Sequence, residues 1–230
     1  MADTFSGFDA KTTGFLRRLG KNNERDWFKA NQDDFEGHVR EPTFAFIRAM
    51  APLLAKLSPR LQAVDKKVGG SMMRIQRDTR FSKDKRPYNE NISLRFLHEK
   101  ASKDAAPGFY LRFTAKDLTL GVGVWRPEPP ALKRIRDAVA ADPAGWKKAV
   151  GAKAFRDAWT MEGESLKRPP KGYDPEHPCV EDLMRKDFAA FRAFPKDALF
   201  GRDLPKRVAA AYKQATPMLA FVCTALRTPL

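Results

Sequence analysis

The sequence predicts an α+β fold: an antiparallel sheet of about four or five strands with an N-terminal helical segment and C-terminal helices packed on it. Three observations predict it. Apolar side chains recur at helical spacing before about residue 57 and again after residue 128, the stretch between them alternates with period two, and one connection inside that stretch is short enough to force a hairpin. With 230 residues, the chain buries roughly 70% of its unfolded surface and needs no metal or disulfide staple. Residues 1–230 read as a single domain, without repeat, low-complexity segment or linker.

At the N-terminus, Thr12 or Thr13 is expected to cap a helix that buries Phe15, Leu16 and Leu19 and ends at Gly20. Asn23 is expected to cap a second helix carrying Trp27, Phe28, Phe35 and Val39. Pro42 suits the first turn of a third, whose buried stripe is Phe44, Ile47, Met50, Leu54 and Leu57.

Alternation begins near Val68. Met73, Ile75 and Arg77 fall on one side of the first predicted strand, and Met72, Arg74 and Gln76 on the other. Three more segments follow, around Ile92–Leu94–Phe96, Phe109–Leu111–Phe113 and Leu118–Leu120–Val122–Val124. The connection at 115–117 makes the last two a hairpin. One face is apolar; the opposite face collects Arg74, Gln76, Arg95, Tyr110, Arg112 and Trp125, beside Gly121 and Gly123, which leave it locally bare. The alternative is that C-terminal helices cover this face and pair its arginines with carboxylates.

After the RPEPP turn, helices are expected around Ile135, around Trp146, and at Phe155 and Trp159. Residues 163–178 are too rich in Pro and Gly for regular structure and read as a solvated loop carrying Lys167, Arg168, Lys171, Tyr173 and His177. Residues 180–186 read as helix, 188–194 as a short additional strand, and 204–226 as a helix interrupted by Pro217.

Several chemistries lack their signatures. His38, His98 and His177 are isolated in sequence and Cys179 and Cys223 form no CxxC pair, so no metal site is expected. Neither GxxxxGK[ST] nor a strand-to-helix GxGxxG occurs, and no cofactor is expected. Ser82 and Lys85 match S-x-x-K only as a chance pattern in a lysine-rich window. The first ten residues lack the pattern of a secretory leader, and the longest apolar run, near 218–226, falls far short of a bilayer span, so a cytoplasmic protein without membrane association is expected.

What remains is charge. The formal balance of +15 is spread along the chain and favours anionic partners. It is densest at 74–88, where six cations face two carboxylates around Phe81. Arginine forks suit bidentate contact with phosphate or carboxylate. The expected ligand is therefore a phosphorylated or otherwise anionic small molecule, held by Arg74, Arg77, Arg80, Lys83 and Lys85, with Asp78 and Asp84 orienting the arginines. Tyr88, Arg95, Arg112 and Trp125 complete the wall. Two alternatives stand beside it: nucleic-acid binding through dispersed charge, and a partner-binding scaffold in which the Arg/Asp network only pins the loop, with Phe81 as its buried anchor. Whether the protein is an enzyme, and its oligomeric state, are left open by the residues.

The strings NNERDWF (22–28), RDTRFSKDKRPY (77–88), GFYLRF (108–113), GVGVW (121–125) and LKRPPKGY (166–173) together resemble the mainly bacterial family called domain of unknown function 2461. The resemblance covers nearly the whole chain. It implies a single α+β domain and carries no assigned catalytic residues.

Overall fold

A computed structural model describes residues 5–102 and 104–230; residues 1–4, the start of the segment read for a leader, lie outside them. The chain runs α1 (Ala10–Lys21), α2 (Arg25–Ala30), α3 (Gln32–Phe35), a π-helical turn (Glu36–Arg40) and α4 (Glu41–Ala55). After an extended stretch come β1 (Ile92–Leu97), β2 (Gly108–Phe113) and β3 (Leu118–Val124). Then follow α5 (Pro129–Ala141), α6 (Pro143–Gly151), α7 (Lys153–Arg156), β4 (Thr160–Glu162), α8 (Val180–Leu183), β5 (Phe188–Phe194), a 3₁₀ turn (Lys196–Phe200) and α9 (Leu204–Ala225). The strands form one antiparallel sheet in the order β1-β2-β3-β5-β4.

Period-two alternation sets the sheet's two faces. Register places Leu94 opposite Leu111 and Leu111 opposite Leu120, and these three share one buried face with Ile92, Phe96, Phe109 and Phe113. Helix α9 covers that face: the Tyr212 ring stacks on Phe109 at 4.2 Å, and its hydroxyl donates to the Tyr110 carbonyl at 2.8 Å. The helix continues through Pro217, contrary to the expected interruption. Proline removes one N–H, and the carbonyl it would have served belongs to Lys213, an exposed residue on the solvent side of the helix.

The N-terminal helices begin differently from expectation. Asp9 caps α1 by accepting the Thr12 N–H at 2.8 Å, which leaves the Thr12 hydroxyl to donate to the His38 carbonyl at 2.7 Å. Gly20 lies inside α1, which ends at Lys21. Pro42 explains the π-helical turn, because it has no N–H to give the carbonyl of His38 four residues earlier. The ladder widens, with Glu41 N–H reaching the Glu36 carbonyl, and the helical path continues unbroken into α4.

The strand expected from Val68 to Arg77 does not form. Its backbone makes isolated bridges instead: Met72 to Leu94 at the edge of β1, with bonds from Met73 N–H to Ser93 O and from Arg95 N–H to Ser71 O, and Gln76 to Tyr88 further along. Buried Met72 and Ile75 are three residues apart, so the alternation breaks between them. Strand β4 is the element that the sequence hid, and β5 matches the short strand expected at 188–194.

Candidate functional site

With α9 on one face, the other face of the sheet is left open. Across it runs a row set by register: Arg95, Tyr110, Gly121, Phe191 and Thr160, with Ser93, Arg112 and Thr119 beside them. The middle of the row, Tyr110, Gly121 and Phe191, floors a groove of about 650 Å³ walled by Met73, Arg112, Trp125 and, at one end, Glu162. Met73 and Trp125 are each 45% exposed, so the walls are apolar surface held open to solvent. Trp125 meets Phe191 edge to face at 5.6 Å. Helices do not cover this face, so the alternative in which they cover it and neutralise its arginines is not the one adopted.

The charges in the groove are loosely held. Arg112 reaches Asp117 only at 3.6 Å, across an exposed pair; Arg95, on the same face of the sheet but outside the groove lining, has no ion-pair partner among the described residues. Arg95 stands beside Tyr110, whose hydroxyl donates to the Ala106 carbonyl at 2.5 Å. Burial pushes the Tyr110 phenol up to about 12, against a smaller opposing pull from Arg95, so it is a neutral donor at physiological pH.

Glycines shape this groove, though by admitting the protein's own atoms. A Cβ on Gly121 would lie 2.9 Å from the Phe191 ring, so the bare position is where Phe191 lies down across β3. Gly123 has φ +107°, and a Cβ there would fall 2.1 Å from the Phe188 carbonyl of the neighbouring strand.

Asp187 is the residue that sequence reasoning missed. Almost fully buried, its carboxylate accepts the Arg126 N–H at 2.8 Å and the Glu164 N–H at 3.0 Å. The first bond holds Arg126 at φ +48°, a left-handed conformation that an arginine rarely adopts, and so fixes the turn that carries Trp125. No motif announces this role, since the partners lie 61 and 23 residues away.

The remaining predicted residues form a separate region, and none of the charged residues at 74–85 lines the groove. Met73 takes the place on the open face that was expected for Arg74, because the bridge of Met72 to Leu94 puts its neighbour there. Arg77 pairs with Asp84 at 2.8 Å and donates to the Arg86 carbonyl at 3.1 Å. Arg80 forks onto Asp78 through Nε at 3.0 Å and Nη2 at 2.7 Å, and Lys85 donates to the Thr79 carbonyl at 3.0 Å. Arg86 is shared between Asp84 and Glu90. Hydrogen bonds from Arg80 hold Asp78 down to about 2, and those from Arg86, with a smaller share from Arg77, hold Asp84 lower still. Arg74 and Lys83 are exposed and have no ion-pair partner among the described residues.

Two further expectations change here. Phe81 is not a buried anchor; it is 95% exposed at the tip of the loop. Tyr88 stands apart from the groove, its ring buried in a stack on Phe28 at 4.2 Å. Asn23 also leaves its expected capping role and turns its amide onto the Tyr88 backbone. In the loop at 163–178, Tyr173 donates to Asp137 at 2.8 Å, which ties that segment to α5.

A family model described as "Conserved hypothetical protein (DUF2461)" matches residues 11–221, a span that contains both the groove and the basic loop. No curated protein matches the chain. Among the described residues, no helix is long and apolar enough to cross a membrane.

Proposed function

We propose that this chain, which belongs to the DUF2461 family, binds a small anionic ligand with a flat or apolar body in the groove on the open face of its sheet. One observation carries the reading: Arg112 lines the groove beside an aromatic wall without a close carboxylate partner, and Arg95 lies on the same sheet face next to it. A guanidinium without a partner is free to make bidentate contact with a phosphate or carboxylate, while Trp125, Phe191 and Met73 exclude water from the ligand body. Tyr110 supplies a neutral floor. Within this reading the cations of 77–86 serve as a brace, since Asp78, Asp84 and main-chain carbonyls already engage most of them. We place the protein in the cytoplasm, because Cys179 and Cys223 are both buried and unpaired, the usual state in a reducing compartment.

The test is a thermal-shift screen of nucleotides, sugar phosphates and aromatic carboxylates, followed by calorimetry. A ligand at a hundred times its dissociation constant stabilises by about 2.7 kcal/mol, well within reach of the assay. Arg112→Ala should abolish the shift. Gly121→Ala, which drives the Phe191 ring out of place, should weaken it. A hit that survives both substitutions would place the ligand elsewhere.

A further inference from the structure

Phe81 is 95% exposed, while Phe200, the next most exposed of the 17 phenylalanines, stands at 42%. A ring in water adds nothing to the core, and in a loose loop it would fold back onto apolar surface. Here local bonds close the loop on itself. Lys85 donates to the Thr79 carbonyl, Arg77 donates to the Arg86 carbonyl, and Asp78 and Asp84 each receive both a main-chain N–H and a guanidinium. The ring is therefore held out by a closed set of local bonds.

Its surroundings are cationic and spaced. The Arg80 guanidinium lies 5.7 Å from the centre of the ring. Lys83, Lys85 and Arg74 are exposed nearby in sequence, and Arg74 and Lys83 lack carboxylate partners among the described residues. A two-faced aromatic among cations matches a polymer that alternates flat rings with phosphates. A duplex stacks its bases inward and does not offer the ring a base face. A membrane wedge calls for more apolar surface than a single phenylalanine, and an acidic peptide would need the cations without the ring.

We infer that the tip of this loop docks single-stranded nucleic acid, with Phe81 stacked on an unpaired base and Arg74, Lys83 and Lys85, none of them paired with a carboxylate among the described residues, against the neighbouring phosphates. The inference is independent of the groove, because none of these four residues lines it.

Fluorescence anisotropy with labelled oligothymidylate and oligouridylate of about twelve nucleotides tests it, within the site sizes such proteins use. Binding is expected at low salt. The slope of log K against log salt should be about −2, from three cations each releasing about 0.7 counterion. Phe81→Ala should weaken binding roughly tenfold at an unchanged thermal midpoint, Phe81→Trp should restore it, and Lys83→Glu should weaken it and flatten the slope. Absence of binding at low salt overturns the inference. So does Phe81→Ala binding as tightly as the parent, which would reduce the contact to charge alone. Phe81-dependent binding to phosphatidylserine vesicles with no binding to either oligonucleotide would also overturn it, in favour of a lipid surface. Because Phe81 touches nothing in the groove, these results stand apart from any ligand screen.

Discussion

The side-chain amide of Asn23 grips the main chain of Tyr88 from both sides, donating to its carbonyl at 3.0 Å and accepting its N–H at 3.0 Å. It thereby acts as one rung of a sheet, joining the NNERDWF and RDTRFSKDKRPY stretches across 65 residues, while Phe28 stacks on the Tyr88 ring. Asn23→Ala leaves two buried main-chain groups unpaired and should cost about 3 kcal/mol in urea unfolding. Asn23→Asp keeps the acceptor and loses the donor, so it should fall between the two.

Thr12 tests the account of the π-helical turn. Thr12→Val preserves shape and removes only the hydroxyl that serves the His38 carbonyl, and should lower stability by about 1–2 kcal/mol. In a Pro42→Ala background the regained N–H should take over that carbonyl, and the cost of Thr12→Val should shrink.

Asp187→Ala removes a buried acceptor of two main-chain N–H groups, and a loss of about 3 kcal/mol is expected in chemical denaturation. Since the same carboxylate fixes the turn after β3, the variant should also lose any ligand response that depends on Trp125. A folded Asp187→Ala protein with full ligand response would separate the turn from the groove.

Alkaline pH should unfold the protein through its phenols. Burial raises Tyr110 and Tyr173 to about 12, and Tyr212 well above its usual value. A raised folded-state value means that the stabilisation is complete below the unfolded value near 10 and is lost as pH climbs through 12. Absorbance at alkaline pH should show these tyrosines ionising late and together with unfolding. Tyr110→Phe should remove one phenolate from that step.

Acid should act on the loop with the opposite sign. Asp78 is held down to about 2 by Arg80, so its pair with Arg80 is intact above the ordinary carboxylate value near 4 and opens as pH falls toward 2. Carboxyl NMR should find Asp78 titrating near 2, and Arg80→Gln should return it toward the ordinary value.

The sheet was legible wherever strands were long enough to alternate. Leu94, Leu111 and Leu120 on one face and Arg95, Tyr110 and Arg112 on the other follow from period two alone. Strand β4 has only three residues, too few to show a period, and at 68–77 alternating residue types suggested a strand where the buried positions, Met72 and Ile75, break parity. The candidate site was half legible for the same reason. Positions on strands could be assigned to a face, whereas the destinations of Arg77, Arg80 and Asp84 depended on a loop path that local pattern does not encode. Asp187 was invisible because its partners are distant in sequence.

The strand order carries a consequence for how the molecule comes into being. β5 stands between β3 and β4, yet it is one of the last segments of the chain to be made, and α9 follows it. A nascent chain emerging from the ribosome would hold the β1–β3 meander with its leucine and phenylalanine face bare and one edge unpaired until residue 194 and beyond had arrived. The protein should therefore depend on its C-terminal quarter for solubility during synthesis. Truncation before α9 should yield aggregate instead of a smaller folded core.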